Sequence, residues 1–263
     1  MKLKIVLIAC IGAIVLAACG KEEAAKDSSW CKDSVDKYNE QEKKQIEGYE
    51  LFDGDKELYK YTFTIDKGQK RTKRVYTEEP SSTYILNEED GVWYYYGSEE
   101  KGPWYKSEAR DDAFESDVQS IDIEVNDETV YEIAGQEKLD GRAVTKVKVT
   151  TPKDDAFSGV LIEEDEKIEE LLNDTDFKKA YDAVKEEKSR VSYVWFDDET
   201  KRPVKQERDT TKIQTVLYYY LKLSGNAEMK YDTVPKNVVE VTLFLSGEPQ
   251  EDIEIPQENV NSI

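Results

Sequence analysis

The sequence contains no histidine, and this absence removes several kinds of chemistry at once. A Ser-His-Asp triad, a Cys-His pair and a histidine-ligated zinc site all need an imidazole group. A protonation switch near neutral pH also depends on histidine, whose ordinary pKa is about 6.5. The sequence therefore excludes the commonest catalytic and metal-binding arrangements.

Cysteine is scarce as well, with three in 263 residues. Cys10 and Cys19 belong to the amino-terminal segment, so only Cys31 lies in the body of the chain. One cysteine forms neither an intramolecular disulfide nor a cysteine-ligated cluster. Cys31 is either a small buried apolar residue, which we favour, or a reactive thiol. Because the chain also has no P-loop and no Gly-x-Gly-x-x-Gly motif, we expect neither a metal nor a cofactor.

Positive charge is in deficit, since 37 lysines and arginines face 58 acidic residues and the formal net charge is -21. Binding to nucleic acid needs clustered basic residues that neutralise phosphates, so we exclude a nucleic-acid partner. The chain nevertheless contains many aromatic residues that can form a hydrophobic core, with 17 tyrosines, 7 phenylalanines and 4 tryptophans. We therefore expect a folded domain rather than a disordered polyelectrolyte.

The first twenty residues are typical of an export signal. Lys2 and Lys4 precede an apolar run over residues 5–18, which is too short to cross a bilayer core of about 30 Å. The run ends in Leu-Ala-Ala-Cys, which resembles the lipobox of bacterial lipoproteins. That resemblance implies cleavage between Ala18 and Cys19 and a diacylglycerol group on Cys19. The alternative is a plain secretory signal followed by an unrelated cysteine.

This pattern predicts three segments: a signal peptide (1–18), a lipidated flexible tether (19–29) and a folded domain (30–263). The tether has no apolar periodicity and is not polybasic, so two acyl chains on Cys19 would supply the membrane attachment. We expect the protein to lie on the extracytoplasmic face of a bacterial cell membrane, with the lipid anchor as its membrane partner.

Most of the domain shows the alternation of apolar and polar residues that is typical of β-strands. Tyr59, Tyr61, Phe63 and Ile65 alternate with polar residues, and turn formers such as Asp90-Gly91 separate the short apolar segments. Strands are predicted over residues 57–66, 73–77, 83–86, 92–96, 104–106, 130–138, 143–151, 190–196, 204–209, 212–223, 228–233 and 238–245.

Helical spacing is found in fewer places. Residues 30–47 form a marginal candidate, and residues 107–129 fit a helix or a strand. The strongest candidate covers residues 165–188, with an N-cap predicted within Asn173-Asp174-Thr175-Asp176. These patterns predict an α+β fold that is mainly antiparallel β, with a curved sheet or open half-barrel covered on one face by the 165–188 block.

Three segments resemble the LolA/LppX-like superfamily of bacterial lipoproteins: a hairpin over residues 131–149, the strand-turn-strand over residues 193–205 and the closing residues 239–256. The most specific part runs from Trp195 to Pro203. The resemblance implies a strongly curved half-barrel whose concave face is covered by helices and encloses a cavity for acyl chains. Characterised relatives carry lipoproteins or glycolipids. This chain differs from the carriers in its own lipobox, its acidity and its tyrosine content.

The leading hypothesis is a membrane-anchored lipoprotein, not an enzyme, that binds a lipid or another hydrophobic ligand. The candidate lining residues, each also compatible with ordinary core packing, are Tyr59, Tyr61, Phe63, Trp195, Leu217 and Tyr219. One alternative is a ligand-free surface module that acts in interaction or sensing. A minor alternative is a hydrolase that uses carboxylates.

Acidic clusters supply the only candidates for that last chemistry. Residues 163–166 and 197–199 are acid-rich, but close carboxylates are expected by chance in so acidic a chain. Asp53, Asp55 and Glu57 alternate like the start of a calcium-binding loop, yet Leu58 stands where an EF-hand needs glycine.

Replacing Cys19 by alanine tests the anchor. Cys19→Ala should abolish labelling by a palmitate analogue and leave uncleaved precursor or release the protein into the medium, because the thiol is the acceptor of the lipid. Labelling is followed by in-gel fluorescence, with Cys31→Ala as the control that should label normally. Unchanged labelling of the Cys19 variant would contradict the prediction.

Overall fold

The structure, a computed structural model, describes residues 28–54, 56–78, 80–100, 102–153, 168–225, 231–246, 251–257 and 260–262. The helices in this part of the chain are α1 (Ser29–Asn39), α2 (Ala113–Ile121), α3 (Ile168–Leu171), α4 (Thr175–Lys185) and α5 (Thr211–Leu223). The strands are β1 (Lys43–Phe52), β2 (Lys56–Asp66), β3 (Arg71–Tyr76), β4 (Ser82–Glu89), β5 (Val92–Glu99), β6 (Trp104–Glu108), β7 (Val130–Leu139), β8 (Arg142–Pro152), β9 (Ser189–Asp197), β10 (Pro203–Asp209), β11 (Val238–Phe244) and β12 (Val260–Ser262).

All twelve strands belong to one sheet, in the order β12-β6-β5-β4-β3-β2-β1-β11-β10-β9-β8-β7. Every neighbouring pair is antiparallel except β12 with β6. Within the described residues β12 and β7 are not paired with each other, so the sheet is open. The protein therefore has the expected α+β fold, dominated by an antiparallel sheet that does not close into a barrel.

The sheet curves around α1. The Ser28 hydroxyl donates to the carbonyl of Tyr131 on β7, and at its other end the Asn39 carbonyl accepts from Lys44 of β1. These strands are five steps apart, or about 24 Å in a flat sheet. The eleven residues of α1 rise only about 16 Å. Since this helix is shorter than the distance between β1 and β7 in a flat sheet, the sheet must curve for α1 to contact both strands. We call the face that α1 packs on the inner face.

The central core lies between this inner face and the helices α1 and α2. It contains Cys31, Val35 and Tyr38 of α1, Ile121 of α2, Ile123 of the segment that follows, and inward side chains of five strands, which are Ile46, Phe63, Ile65, Val147, Val149, Val194, Phe196 and Phe244. Two edge-to-face ring contacts fix α1, between Trp30 and Phe196 and between Tyr38 and Phe244. Cys31 is thus a buried apolar residue.

A buried lysine joins α1, α2 and β1. The Lys44 side chain is fully buried, and its ammonium group donates to Asp122 and, over 3.0 Å, to the Asn39 carbonyl. The Asn39 side chain in turn pairs with both backbone groups of Ile123, at 2.9 and 3.0 Å. Burial lowers the pKa of Lys44 and raises that of Asp122, because both charges have left water. The ends of the two covering helices are therefore held by one polar junction.

The helical block predicted over residues 165–188 forms as α3 and α4, of which residues 165–167 lie outside the described residues. Asp174 is the N-cap, since its carboxylate accepts the backbone N–H groups of Asp176 and Phe177. The prediction that this block covers the sheet is wrong. It packs on α5, around Phe177, Val184 and Val216, and α5 in turn packs on the inner face beside Val238, while α1 and α2 cover the central part of that face.

Three further assignments are corrected. Residues 212–223 were expected as a strand but form α5, because Ile213, Val216, Leu217 and Tyr220 lie on one helical face that packs on α4. The marginal helix of residues 30–47 ends at Asn39, and β1 begins at Lys43. Of the strand expected over residues 228–233, the described residues 231–233 are not in a strand.

The other predicted strands are confirmed within a few residues, and the ambiguous stretch 107–129 contains α2. The turn after Trp195 has the expected form, with the Asp197 carboxylate accepting the backbone N–H groups of Glu199 and Thr200. Among the described helices, none combines the length and the apolar character that crossing a membrane requires.

Lys44→Ala should lower the free energy of unfolding by about 1–3 kcal/mol, because it removes the partner of the partly buried Asp122 carboxylate and the donor to the Asn39 carbonyl. The matched control is Lys32→Ala, which removes an exposed helical ion pair with Asp36 and should cost less than about 1 kcal/mol. Urea unfolding of residues 20–263, which include every described element, measures both. Equal losses in the two variants would contradict the assigned role of Lys44.

Candidate ligand-binding groove

A cavity of about 1130 Å³ lies on the part of the inner face formed by β3 to β6. The register places Tyr84 opposite Gly97, and Gly97 opposite Tyr105, so these side-chain positions share one face. Five tyrosines line the cavity, and we call it the tyrosine groove: Tyr59, Tyr76, Tyr84, Tyr95 and Tyr105. Its volume is slightly above the usual range for small-molecule sites, about 300–1000 Å³.

The lining of the tyrosine groove is amphipathic rather than purely apolar. Among the described residues that line it there is no Leu, Ile, Val, Phe or Met. The other lining residues are polar, small or proline: Thr72, Arg74, Glu78, Pro80, Ser82, Gly97, Ser98, Glu99, Gly102, Pro103, Ser107 and Asp117. Tyrosine offers an apolar ring face and a polar hydroxyl, so this surface can contact a hydrocarbon and still be wetted when empty.

The tyrosine rings follow one another across the strands. Tyr61 and Tyr76 have ring centroids 5.8 Å apart, and Tyr76 meets Tyr84 edge-to-face at 6.1 Å. Tyr84 and Tyr105 keep 40% and 44% of their surface exposed, which is unusual for large aromatic side chains inside a concavity. The exposed rings leave room for a ligand on this face.

Two glycines allow the rings to lie close to the backbone. A Cβ atom on Gly48 would lie 2.3 Å from the Tyr61 ring, and one on Gly97 would lie 3.3 Å from the Tyr84 ring. A larger residue at Gly48 would therefore displace Tyr61, whereas Gly97 leaves a small margin. The absence of these two side chains shapes the floor of the groove.

Tyr59 has a strained backbone at the edge of the groove. Its φ angle is 55°, in the left-handed region that non-glycine residues rarely adopt, and it lies at a bulge opposite β1. It packs against the buried cluster of Tyr218, Tyr231 and Val238. The bulge turns Tyr59 towards both the groove and α5, so this residue links the groove to the α4–α5 pair.

The end of the groove under α2 is charged. The Arg74 guanidinium lies over the Phe63 ring at 4.2 Å and the Tyr61 ring at 5.6 Å. Asp117 of α2 accepts the Thr72 hydroxyl and lies 3.9 Å from Arg74. Burial raises the pKa of the Asp117 carboxyl. This end therefore places one arginine beside a carboxylate that is itself poorly solvated.

The structure brings together some of the residues selected from the sequence. Tyr59 lines the groove, Tyr61 stands next to it, and Phe63 is buried beneath Arg74 with 1% exposure. Trp195 lies on the opposite face of the sheet, between the ammonium groups of Lys146 and Lys205 at 4.4 and 4.8 Å. Leu217 and Tyr219 lie on α5, where both pack with α4, and Tyr219 also contacts the cluster around Tyr59.

The lining residues selected from the sequence include Tyr59 but not the other four tyrosines of the groove. Tyr84, Tyr95 and Tyr105 lie on consecutive hairpin strands with short turns. Counting back from Asp90-Gly91 would have placed Tyr84 and Tyr95 on the same face, because a tight turn fixes the hairpin register. Ala18 and Cys19, the predicted cleavage and lipidation residues, lie outside the described residues, as do residues 163–166.

The acidic residues considered for metal binding or hydrolysis have structural partners where they are described. Asp198 accepts a hydrogen bond from the Thr145 hydroxyl at 2.6 Å. Asp197 stabilises the turn that follows it by accepting the backbone N–H group of Thr200. Asp53 accepts the backbone N–H groups of Lys236 and Asn237, while Asp55 is not described. Within the described part of the chain, no three acidic or cysteine side chains converge as a metal site requires.

No protein-family model matches the chain, and no curated protein matches its sequence. Among solved structures, the lipoprotein LppX of Mycobacterium tuberculosis is 12% identical, with a TM-score of 0.45 over 86% of this chain and 97% of LppX. LprF of Mycobacterium bovis is 10% identical, with a TM-score of 0.45 over 88% of this chain and 96% of LprF. A DUF1329 family protein of Desulfovibrio piger is 14% identical, with a TM-score of 0.23 over 82% of this chain and 89% of that protein.

These neighbours include a lipoprotein of the superfamily that the sequence resembles. At such low identity and TM-score, the likeness carries no argument about what this chain binds. The chemistry of the groove must supply that argument.

Nitration by tetranitromethane should modify Tyr84 and Tyr105 much faster than Tyr38 and Tyr96, which are 6% and 4% exposed. Burial also raises the pKa of Tyr38 and Tyr96, which disfavours the reactive phenolate. Tyr193 on the outer face is 36% exposed and serves as the positive control. Peptide mass spectrometry at low conversion measures the rates, and protection of Tyr84 and Tyr105 to the level of Tyr38 would contradict an open groove.

Proposed function

We propose that this protein is a lipoprotein of the bacterial cell envelope that binds an amphiphilic ligand, with a hydrophobic part, in the tyrosine groove. Residues 1–18 serve as the signal peptide, Cys19 carries the lipid anchor, and residues 19–29 tether a single domain to the extracytoplasmic face of the membrane. The groove of about 1130 Å³ with its exposed tyrosine rings is the observation that carries the proposal.

Size and shape favour an elongated ligand. From Thr72 to Glu78 the groove follows β3 and the loop after it for six residues, or about 20 Å of extended chain. This length matches a long acyl chain lying along the strand. The tyrosine rings cover apolar surface on one side of such a chain, and contact with the rings releases water from both.

The hydroxyl groups and charges of the lining favour a ligand that is not wholly apolar. A pure hydrocarbon would displace water from the polar groups of the lining, such as Arg74 and Ser107, without replacing its hydrogen bonds, which costs free energy. A ligand with a polar group at one end satisfies them. The cavity therefore fits an amphiphile better than a neutral wax or an alkane.

A second function is favoured by the outer face of the sheet. Val130 of the edge strand β7 and Val191 of β9 lie in the same row across β8, and Tyr193 follows in the next row. Their exposures are 54%, 40% and 36%. An exposed apolar patch beside an unpaired strand edge is typical of a protein-binding surface, so a surface interaction module is the competing proposal.

A chain-length series separates the two functions. Residues 20–263 are titrated calorimetrically with alkyl compounds of increasing length that share one head group. Affinity should rise with each methylene, by at most about 0.8 kcal/mol for full burial, and by less on a groove that is open to water. Absence of saturable binding at every chain length, in a folded protein, would reject the ligand-binding function and favour the interaction module.

Ser82→Trp should abolish this binding, because the new ring fills the groove between Tyr76 and Glu99, the two strand neighbours of Ser82. Thr83→Trp is the matched control, since the next residue on β4 points to the opposite face and should leave the affinity unchanged. Bound ligand should also protect Tyr84 and Tyr105 from nitration while Tyr193 stays reactive. Binding lost equally in both variants would place the ligand elsewhere.

A further inference from the structure

The tyrosine groove contains one arginine, Arg74, and the described residues that line it include no other Arg or Lys. The side chain lies under α2 at the closed end, and 31% of its surface is exposed. In a chain with a formal charge of -21, a lone cation on the floor of a ligand groove needs an explanation. Covering the Phe63 ring is one part of it, but lysine or methionine would cover a ring as well.

Two other arginines of the sheet, Arg71 and Arg208, have close hydrogen-bond partners. Arg208 on β10 donates two hydrogen bonds to the Glu240 carboxylate. Arg71, three residues before Arg74 on the same strand, donates to the Asn87 side chain at 2.8 Å and the Ile253 carbonyl at 2.9 Å. These guanidinium groups are held in the geometry that arginine prefers, with short bonds to fixed acceptors.

Arg74 lacks such a partner. Its terminal Nη2 atom is 3.9 Å from Asp117 and 3.5 Å from the Ser120 hydroxyl, and the Tyr76 hydroxyl is its other polar neighbour. Its Nε atom has no hydrogen-bond partner within the described structure. Since a guanidinium group has five N–H donors, a large part of its hydrogen-bonding capacity is directed at the groove or left unused.

Asp117 is the nearest acid to Arg74, at 3.9 Å, and its carboxylate also accepts the Thr72 hydroxyl. The other acids of the lining, Glu78 and Glu99, lie towards the open end. Neither acid forms an ion pair with Arg74 in the described part of the chain, whereas Asp117 does.

We infer that the ligand is an anionic amphiphile, whose carboxylate or phosphate group pairs with Arg74 at the closed end and whose chain lies along the tyrosine rings towards the open end. This inference rests on the proposed function and names its ligand class. Carboxylate and phosphate share the oxyanion geometry that a guanidinium fork recognises. A free anion and a lipid head group would both present it, and the experiment separates them.

Residues 20–263 are titrated calorimetrically at neutral pH with decanoate, decyl phosphate, decanol and inorganic phosphate. Decanoate and decyl phosphate should bind about tenfold more tightly than decanol, since a hydrogen-bonded charge contributes about 1.5–3 kcal/mol. Inorganic phosphate should bind far more weakly than decyl phosphate. Equal binding of decanol and decanoate would overturn the inference while leaving the proposed function standing. Phosphate binding as tight as that of decyl phosphate would also overturn it. Absence of binding by every decyl compound would reject both.

Variants assign the effect to one side chain. Arg74→Gln should remove the preference for decanoate over decanol, because it weakens the binding of decanoate much more than that of decanol. Lys73→Gln is the matched control, because it removes one positive charge from the neighbouring, exposed position on the outer face of β3 and should change neither affinity. Arg74→Lys should keep part of the preference, and it replaces Arg74→Gln as the test if thermal unfolding shows the latter to be misfolded. Parallel losses for decanol and decanoate would contradict head-group recognition and indicate a purely structural arginine.

Discussion

The ammonium group of Lys44 is buried where α1, α2 and β1 meet, and the division of the inner face depends on this junction. Removing a lysine from water is unfavourable unless its donors are satisfied, and Asp122 and the Asn39 carbonyl satisfy them. The junction holds both helices over one part of the curved sheet. The neighbouring part, from β3 to β6, is covered by α2 at one end only, and the groove lies on the part that α2 leaves open.

The choice of side chains follows from this partial cover. Where the helices lie on the sheet, the inward positions are aliphatic or phenylalanine, such as Val147, Val194 and Phe196. Where the sheet is open, tyrosine takes their place, as at Tyr84 and Tyr105. An exposed aliphatic face would promote aggregation, whereas a tyrosine surface tolerates water and still offers apolar contact. The same property makes the groove suitable for a molecule with one apolar and one charged end.

Much of the architecture followed from local sequence patterns. Alternation identified most of the strands, and Asp174 was correctly placed within an N-terminal cap, because strand alternation and helix capping are local effects. The error at residues 212–223 shows the limit. Tyrosines favour strands, yet the contact of Val216 and Leu217 with α4 imposed a helix, and that contact joins segments more than thirty residues apart.

The sequence by itself determined the chemistry that is excluded, the predicted export and lipidation of Cys19, and the α+β class, because these depend on composition and short-range order. Only the tertiary structure decided which tyrosines face a common groove and that Arg74 lies among them with Asp117 as its nearest acid, at 3.9 Å. Strand order, curvature and helix cover are set by contacts between distant segments. A period of two shows that residues share a face, but not whether a helix covers that face.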